Sequence, residues 1–194
     1  MMRYGRNQRD ETRTRILDVA SRMFRERGVA ATGVAGLMEA AGLTNGAFYA
    51  HFPSKEALVA DAVTDQPGRR PGRFAELLSS GASPEHWIPL YLSPEHRDDP
   101  GGGCPVASLA AELARHPEPT RARFAEAVER TVALMAVHMP GHDEADRLNR
   151  AYALYGTLLG TLQLARIAGR GPASDAILAG GIRAALAGCA AAGA

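Results

Sequence analysis

Seven residues between positions 32 and 55 are suited to gripping a phosphodiester backbone and reading base edges: Thr32, Thr44, Asn45, Gly46, Tyr49, His51 and Lys55. A helix opening near Thr44 would turn unpaired amides and the positive end of its dipole toward an anion. Gly46 would let the main chain come close to it. Tyr49 and His51 offer a hydroxyl and an imidazole on the exposed side of that helix, and Lys55 places an ammonium at the start of the next. Contacts of this kind position a protein on a duplex without reading it. Reading would fall to Thr44 and Asn45, because a threonine methyl packs on thymine and an asparagine amide pairs with N6 and N7 of adenine.

These residues need helices to hold them, and the spacing supplies a set. Over 10–27, the apolar residues Ile16, Val19, Ala20, Met23 and Phe24 fall on one helical face, and Gly28 follows where a left-handed cap is expected. Thr32 is placed to cap a second short helix carrying Val34, Leu37, Met38 and Ala41, stopped by Gly42. A third helix of about two turns is expected over 43–52, limited by Pro53. Ser54 caps a fourth, which runs to about residue 65 with Leu58, Val59, Ala62 and Val63 inward. Two helices joined by a tight glycine turn form a helix-turn-helix, whose second helix can enter the major groove. Phe48 and Phe52 are assigned to a small core with Phe24, Leu37 and Leu58 rather than to a DNA face.

The Pro- and Gly-rich stretch 66–72 breaks the pattern, which sets a domain boundary after residue 66: a DNA-binding domain over 1–66 and a helical ligand-binding and dimerisation domain over 67–194. Helices are expected there over 74–79, 84–92, 105–115, 119–138, 142–168 and 174–192, with the glycine-rich loop 93–103 the most flexible segment. No run alternates with period two, so the fold class is all-α.

Composition narrows the function. The 194 residues are 46% hydrophobic and 22% charged with a formal net charge of +1, which excludes a disordered chain and a uniformly basic, histone-like binder. The charge is nonetheless uneven, since the first 73 residues carry 12 of the 22 cations and only 8 of the 21 acidic groups. Two cysteines make neither a disulfide framework nor a four-cysteine zinc site, and a reducing compartment fits. The N-terminal residues are polar and Arg-rich without an apolar segment of the secretory kind, and the best membrane candidate, 151–168, contains Gln163 and Arg166. A cytoplasmic protein without a membrane partner is expected.

The stretch 42–58, GLTNGAFYAHFPSKEAL, closely resembles the DNA-binding domain of the tetracycline-repressor (TetR) family of bacterial transcriptional regulators, and the resemblance extends over 10–63. It implies that residues such as Tyr49 and Lys55 touch phosphate, and that the protein binds a palindromic double-stranded operator as a homodimer. Two departures stand out. Position 45, often basic in the family, is Asn, and Gly36 lies inside the second helix at a cost of about 1 kcal/mol against Ala unless it serves close packing. Arg3, Arg6, Arg9, Arg13 and Arg15 form an N-terminal arm that either tracks DNA or is a solvated tail. Farther on, 103–113 (GCPVASLAAEL) looks like a segment of one subgroup of these regulators.

In the second part, Gly180, Ala184, Gly188 and Ala192 recur every fourth residue, and Gly156 and Gly160 do so on the helix before, beside Leu158, Leu159 and Leu162. Such faces admit another helix closely and suit a four-helix dimer interface; internal packing of an Ala-rich helix is the alternative. Trp87, Tyr91, Leu109, Leu113, Phe124, Val128, Met135, Tyr152 and Tyr155 are candidates to line an apolar pocket for a small hydrophobic or aromatic inducer, with core packing as the alternative for each. Cys104, at a helix N-terminus beside a flexible loop, suggests a second possibility: a reachable thiol that senses electrophiles or oxidants. Cys189 reads as packing.

An enzyme is not expected. His86, His96, His116, His138 and His142 lie on different segments, and Glu112 with His116 at i, i+4 is too little for a catalytic metal. No phosphate-cradling glycine motif and no nucleophile elbow is found, so neither cofactor nor metal is expected.

Overall fold

The computed structural model describes residues 2–64 and 73–190, with side chains from residue 8 onward in the N-terminal stretch. Every regular element among them is helical, as the lack of period-two patterning requires. The chain divides into two compact units, Met1–Arg70 with Ser108–Ala127, and Pro71–Ala107 with Val128–Ala194. The expected boundary and the breaker 66–72 lie outside the described residues.

In the first unit, α1 (Met2–Arg27) buries Ile16, Leu17, Ala20 and Phe24. Leu17 takes an inward place, and Val19 and Met23 are half-buried at the edge of that face. The helix begins eight residues ahead of the expected start, so the main chain of the arginine arm is part of α1. It ends at Gly28, whose φ of +84° suits a residue without a Cβ and whose N–H returns to the Phe24 carbonyl at 2.8 Å.

A turn leads to α2 (Val34–Ala40), which buries Leu37 and Met38. Gly42 at φ +69° closes it as the amides of Gly42 and Leu43 donate to the Glu39 and Met38 carbonyls at 2.9 and 2.8 Å, a Schellman end. The next element is a 3-10 helix, Asn45–Ala50, and not the α-helix expected. The element is six residues long, and the tighter winding is used in short pieces. Ser54 then caps α3 (Lys55–Ala62) by accepting the Ala57 N–H at 3.1 Å, as anticipated. The small core is as assigned: Phe24, Leu37, Phe48, Phe52 and Leu58 are all buried.

In the second unit, α4 (Arg73–Ser79), α5 (Pro84–Tyr91) and α6 (Pro94–Asp98) are followed by α7 (Pro105–Leu113) and α8 (Glu118–Ala136), each of which contributes residues to both units. The long helices α9 (Glu144–Ala168) and α10 (Pro172–Ala190) pack along one another. Ser174, Leu178, Gly181 and Ala185 form the buried side of α10. A Cβ on Gly181 would lie 2.2 Å from Thr161 Cγ2, so this glycine allows the close approach. By length and composition α10 could span a bilayer; Leu178 and Ala185 on its inner face join the core cluster of the second unit.

Candidate nucleic-acid interface

The 3-10 helix presents Thr44, Asn45, Gly46, Tyr49 and Ala50 to solvent over a base made by Phe48. Phe48 is fully buried; its ring meets Tyr49 edge-on at 5.2 Å and stacks on Phe52 at 5.8 Å. Tyr49 is 70% exposed, a placement that hydrophobic burial would not choose and that leaves its hydroxyl available. Among the described residues nothing lies within 4 Å of where a Cβ at Gly46 or Gly36 would be, so no close packing there calls for Gly36 and both leave room for an external surface.

Three expectations change. Thr32 does not cap α2; Gly33 holds that position, while Thr32 is buried and donates its hydroxyl to the Gly28 carbonyl at 2.7 Å. Lys55 is half-buried and donates to the Val29 carbonyl at 2.6 Å, so its ammonium is tethered. His51 is half-buried with Nδ1 enclosed and unpartnered; burial, then the charges of Arg9 and Arg13, hold its pKa below the ordinary 6.5 and favour the neutral ring.

Two of the arm arginines, Arg9 and Arg13, have structural work, while Arg15 is exposed. Arg9 Nη2 donates to the Ala50 carbonyl at 2.8 Å, at the C-terminal end of the 3-10 helix, where a cation complements the orphan carbonyls. Arg13 pairs with Asp61 and lies over the Phe52 ring at 4.8 Å. The side chains of Arg3 and Arg6 lie outside the described residues.

The pairing of Glu112 with His116, read in the sequence only as a poor metal pair, belongs to the first unit. Glu112 accepts the N–H groups of Val29 and Ala30, and His116 Nδ1 lies 3.1 Å from Glu56 Oε1. Thr120 donates to the same carboxylate, and Arg123 pairs with Asp61 at 2.9 Å. Burial works to raise the Glu56 pKa; the hydrogen bonds of Thr120 and His116, with the charges of His116 and Lys55, outweigh it and leave the group below its ordinary value. No cluster of metal-ligating side chains occurs among the described residues. The acid and histidine at i, i+4 were visible in the sequence, but their partners lie more than fifty residues away.

The candidates for a ligand pocket separate. Trp87, Tyr91, Cys104, Met135 and Tyr155 join the core cluster of the second unit, with Val128 packed against it. Leu109, Leu113 and Phe124 group with the first unit, and Tyr152 is 47% exposed, which removes it from any interior wall. Trp87 Nε1 is fully enclosed without a partner. Burial first, and then Cys104 and Tyr155 beside it, push the Tyr91 phenol well above its ordinary range.

Cys104 is buried, with Sγ 3.1 Å from the Tyr155 hydroxyl, so the thiol expected to be reachable is not. Nor is 93–103 a free loop. It contains α6; the His96 ring accepts the Cys104 N–H at 3.0 Å, and Arg166 donates to the His96 and Arg97 carbonyls. Arg97, itself buried, reaches Asp98, Ser174 and Asp175. A Cβ on Gly103 would lie 2.6 Å from the His96 ring, so that glycine permits packing rather than motion.

An exposed polar edge on a short helix, held over an aromatic core by a glycine turn and an N-capped helix, defines a helix-turn-helix protein of the DNA-binding kind. Residues 16–62 match the family described as bacterial regulatory proteins, tetR family. The chain is 30% identical over 131 residues to the transcriptional regulator LmrA of Bacillus subtilis, covering 65% of this chain and 67% of that protein. The chain therefore belongs to the TetR family. It is also 39% identical over 69 residues to the transcriptional repressor KstR2 of Rhodococcus jostii, 36% of this chain and 34% of that one; it thus spans about a third of that relative's length. The crystal structure of reduced NemR from Escherichia coli superposes with a TM-score of 0.67 at 25% identity, over 88% of this chain and 95% of that one.

Proposed function

We propose that the protein is a ligand-responsive transcriptional repressor that binds a palindromic DNA operator as a homodimer. The observation that carries this reading is the edge formed by Thr44, Asn45, Gly46 and Tyr49, polar and exposed while Phe48 beneath it is buried. Tyr49 and Lys55 contact phosphate; Thr44 and Asn45 read bases. Arg9 and Arg13 support the reading helix from behind.

Dimerisation uses the outer sides of α9 and α10. Among the described residues nothing lies within 4 Å of where a Cβ on Gly156, Gly160 or Gly188 would be, so no contact there requires them to be small. Leu164 and Ile167 continue the α9 face at 59% and 83% exposure, apolar surface that a second copy would cover.

The inducer is a small apolar or aromatic molecule with a hydrogen-bond acceptor, admitted among Trp87, Tyr91, Met135 and Tyr155. The enclosed Trp87 N–H supports an acceptor, because a buried donor left unpaired costs about 1–3 kcal/mol that a ligand can recover. Binding shifts dimers away from the spacing that fits DNA. The protein works in the cytoplasm, where its operator is.

Electrophoretic mobility shift on the DNA flanking its own gene, at two salt concentrations and with nonspecific competitor, tests the reading. One dimer per palindrome surviving competitor supports it. Binding that competitor abolishes on every fragment, including fragments selected from the whole genome, refutes it.

A further inference from the structure

The turn joining α1 to α2 is held by side chains from two other elements. Glu112 Oε2 accepts the Val29 N–H at 2.9 Å and Oε1 accepts the Ala30 N–H at 2.6 Å. Lys55 Nζ donates to the Val29 carbonyl at 2.6 Å. Two adjacent amides on the two oxygens of one carboxylate make a charge-assisted fork, stronger and more directional than a pair of neutral bonds. Gly28 is favoured there by its φ of +84°, and a Cβ would lie 3.0 Å from Glu112 Oε2, so the carboxylate would have to give. Thr32 closes the same turn onto the Gly28 carbonyl.

We infer that Glu112 is a positioning residue for DNA binding, acting through Val29 on Lys55. The carboxylate fixes Val29 by its N–H, and the Val29 carbonyl in turn orients the ammonium. An ammonium has three N–H donors, so Lys55 spends one on Val29 and keeps two for a phosphate. Held this way, the flexible side chain is ordered before DNA arrives, and less rotamer entropy is lost on binding. The same segment meets α3 through His116 and Thr120 at Glu56 and through Arg123 at Asp61, so residues 108–127 belong mechanically to the reading head. The inference rests on the DNA-binding reading above.

The test uses the full chain and a duplex that the wild-type protein selects from a random-sequence library. Glu112→Ala is expected to speed amide exchange at Val29 and Ala30 by about tenfold or more, leaving Ile16, Ala20 and Leu58 unchanged, and to weaken duplex binding by about tenfold. The discriminating measurement is a double-mutant cycle in duplex affinity. Lys55→Ala should cost less in the Glu112→Ala background than in the wild type, because the residue it removes has already lost its orientation. Glu112→Gln, which keeps one acceptor oxygen, should fall between and serves if the alanine variant does not fold. Glu126→Gln controls for loss of a charge on the same segment and should bind as wild type does. Additive losses at 112 and 55, or exchange accelerated evenly through the unit, would reduce Glu112 to a stabilising contact and overturn the inference alone. A wild-type protein that selects no duplex overturns the DNA-binding reading, and the inference with it.

Discussion

Cys104 Sγ and Tyr155 Oη lie 3.1 Å apart in the second unit, both buried. A thiol so enclosed meets solvent reagents only when the surrounding helices open. Alkylation of Cys104 by iodoacetamide in the folded protein should therefore run at least about a hundredfold slower than in urea, following local opening. Peptide mass spectrometry over a time course reads this directly. Equal rates in the two conditions would revive a reactive-thiol sensor at Cys104.

The exposed and buried aromatics of the reading helix should separate cleanly. Tyr49→Phe should leave the melting temperature within a degree or two and weaken binding to all duplexes, since only a hydroxyl on a 70% exposed ring is lost. Phe48→Ala should destabilise by about 3–5 kcal/mol, by removing a fully buried ring. Asn45→Ala should relax preference at one base pair without a uniform loss. Thermal melts paired with fluorescence anisotropy on several sequences distinguish the three.

Glycines on α9 and α10 should divide by direction. Gly181→Ala drives a Cβ to 2.2 Å from Thr161 Cγ2 and 2.8 Å from Thr161 Cβ, and is expected to cost about 1–3 kcal/mol in folding. Gly156→Leu meets open space among the described residues, so it should leave the protomer folded and lower the dimer fraction in sedimentation. A Gly156→Leu protein that stays dimeric at micromolar concentration would remove this face from the interface.

His51 should titrate below its ordinary 6.5, because burial and the cations Arg9 and Arg13 disfavour the imidazolium. An unfolded chain then takes up the proton more readily than the folded one. The resulting stability is fully present above 6.5 and is lost as pH falls through the depressed folded value. The His51 Hε1 resonance followed by NMR should show the low midpoint. Arg9→Ala should move that midpoint upward by removing one of the charges.

Local regularities in the chain were legible where local physics decides them. The core face of α1, the glycine stop at Gly28, the Ser54 cap, the Gly42 turn and the inward Phe48 follow from periodicity, cap chemistry and the conformational freedom of glycine, all of which act within a few residues. Tyr49 is exposed as expected, whereas His51, assigned to the same side, is half-buried. Even the reading helix was placed to within two residues at each end, although its 3-10 winding was not legible.

Contacts between residues distant in the chain decided the rest. Nothing near Lys55 indicates that its ammonium is tied to Val29, nothing near Glu112 that its carboxylate serves the turn eighty residues earlier, and nothing near Arg9 that it caps Ala50. The triple glycine reads as a hinge in isolation and becomes a packing necessity only once the His96 ring lies against Gly103. Cys104 likewise reads as a reactive terminus until Tyr155 and its neighbours enclose it. Hydrogen-bond partners and burial are properties of space, and a linear pattern records only which side of each helix is apolar.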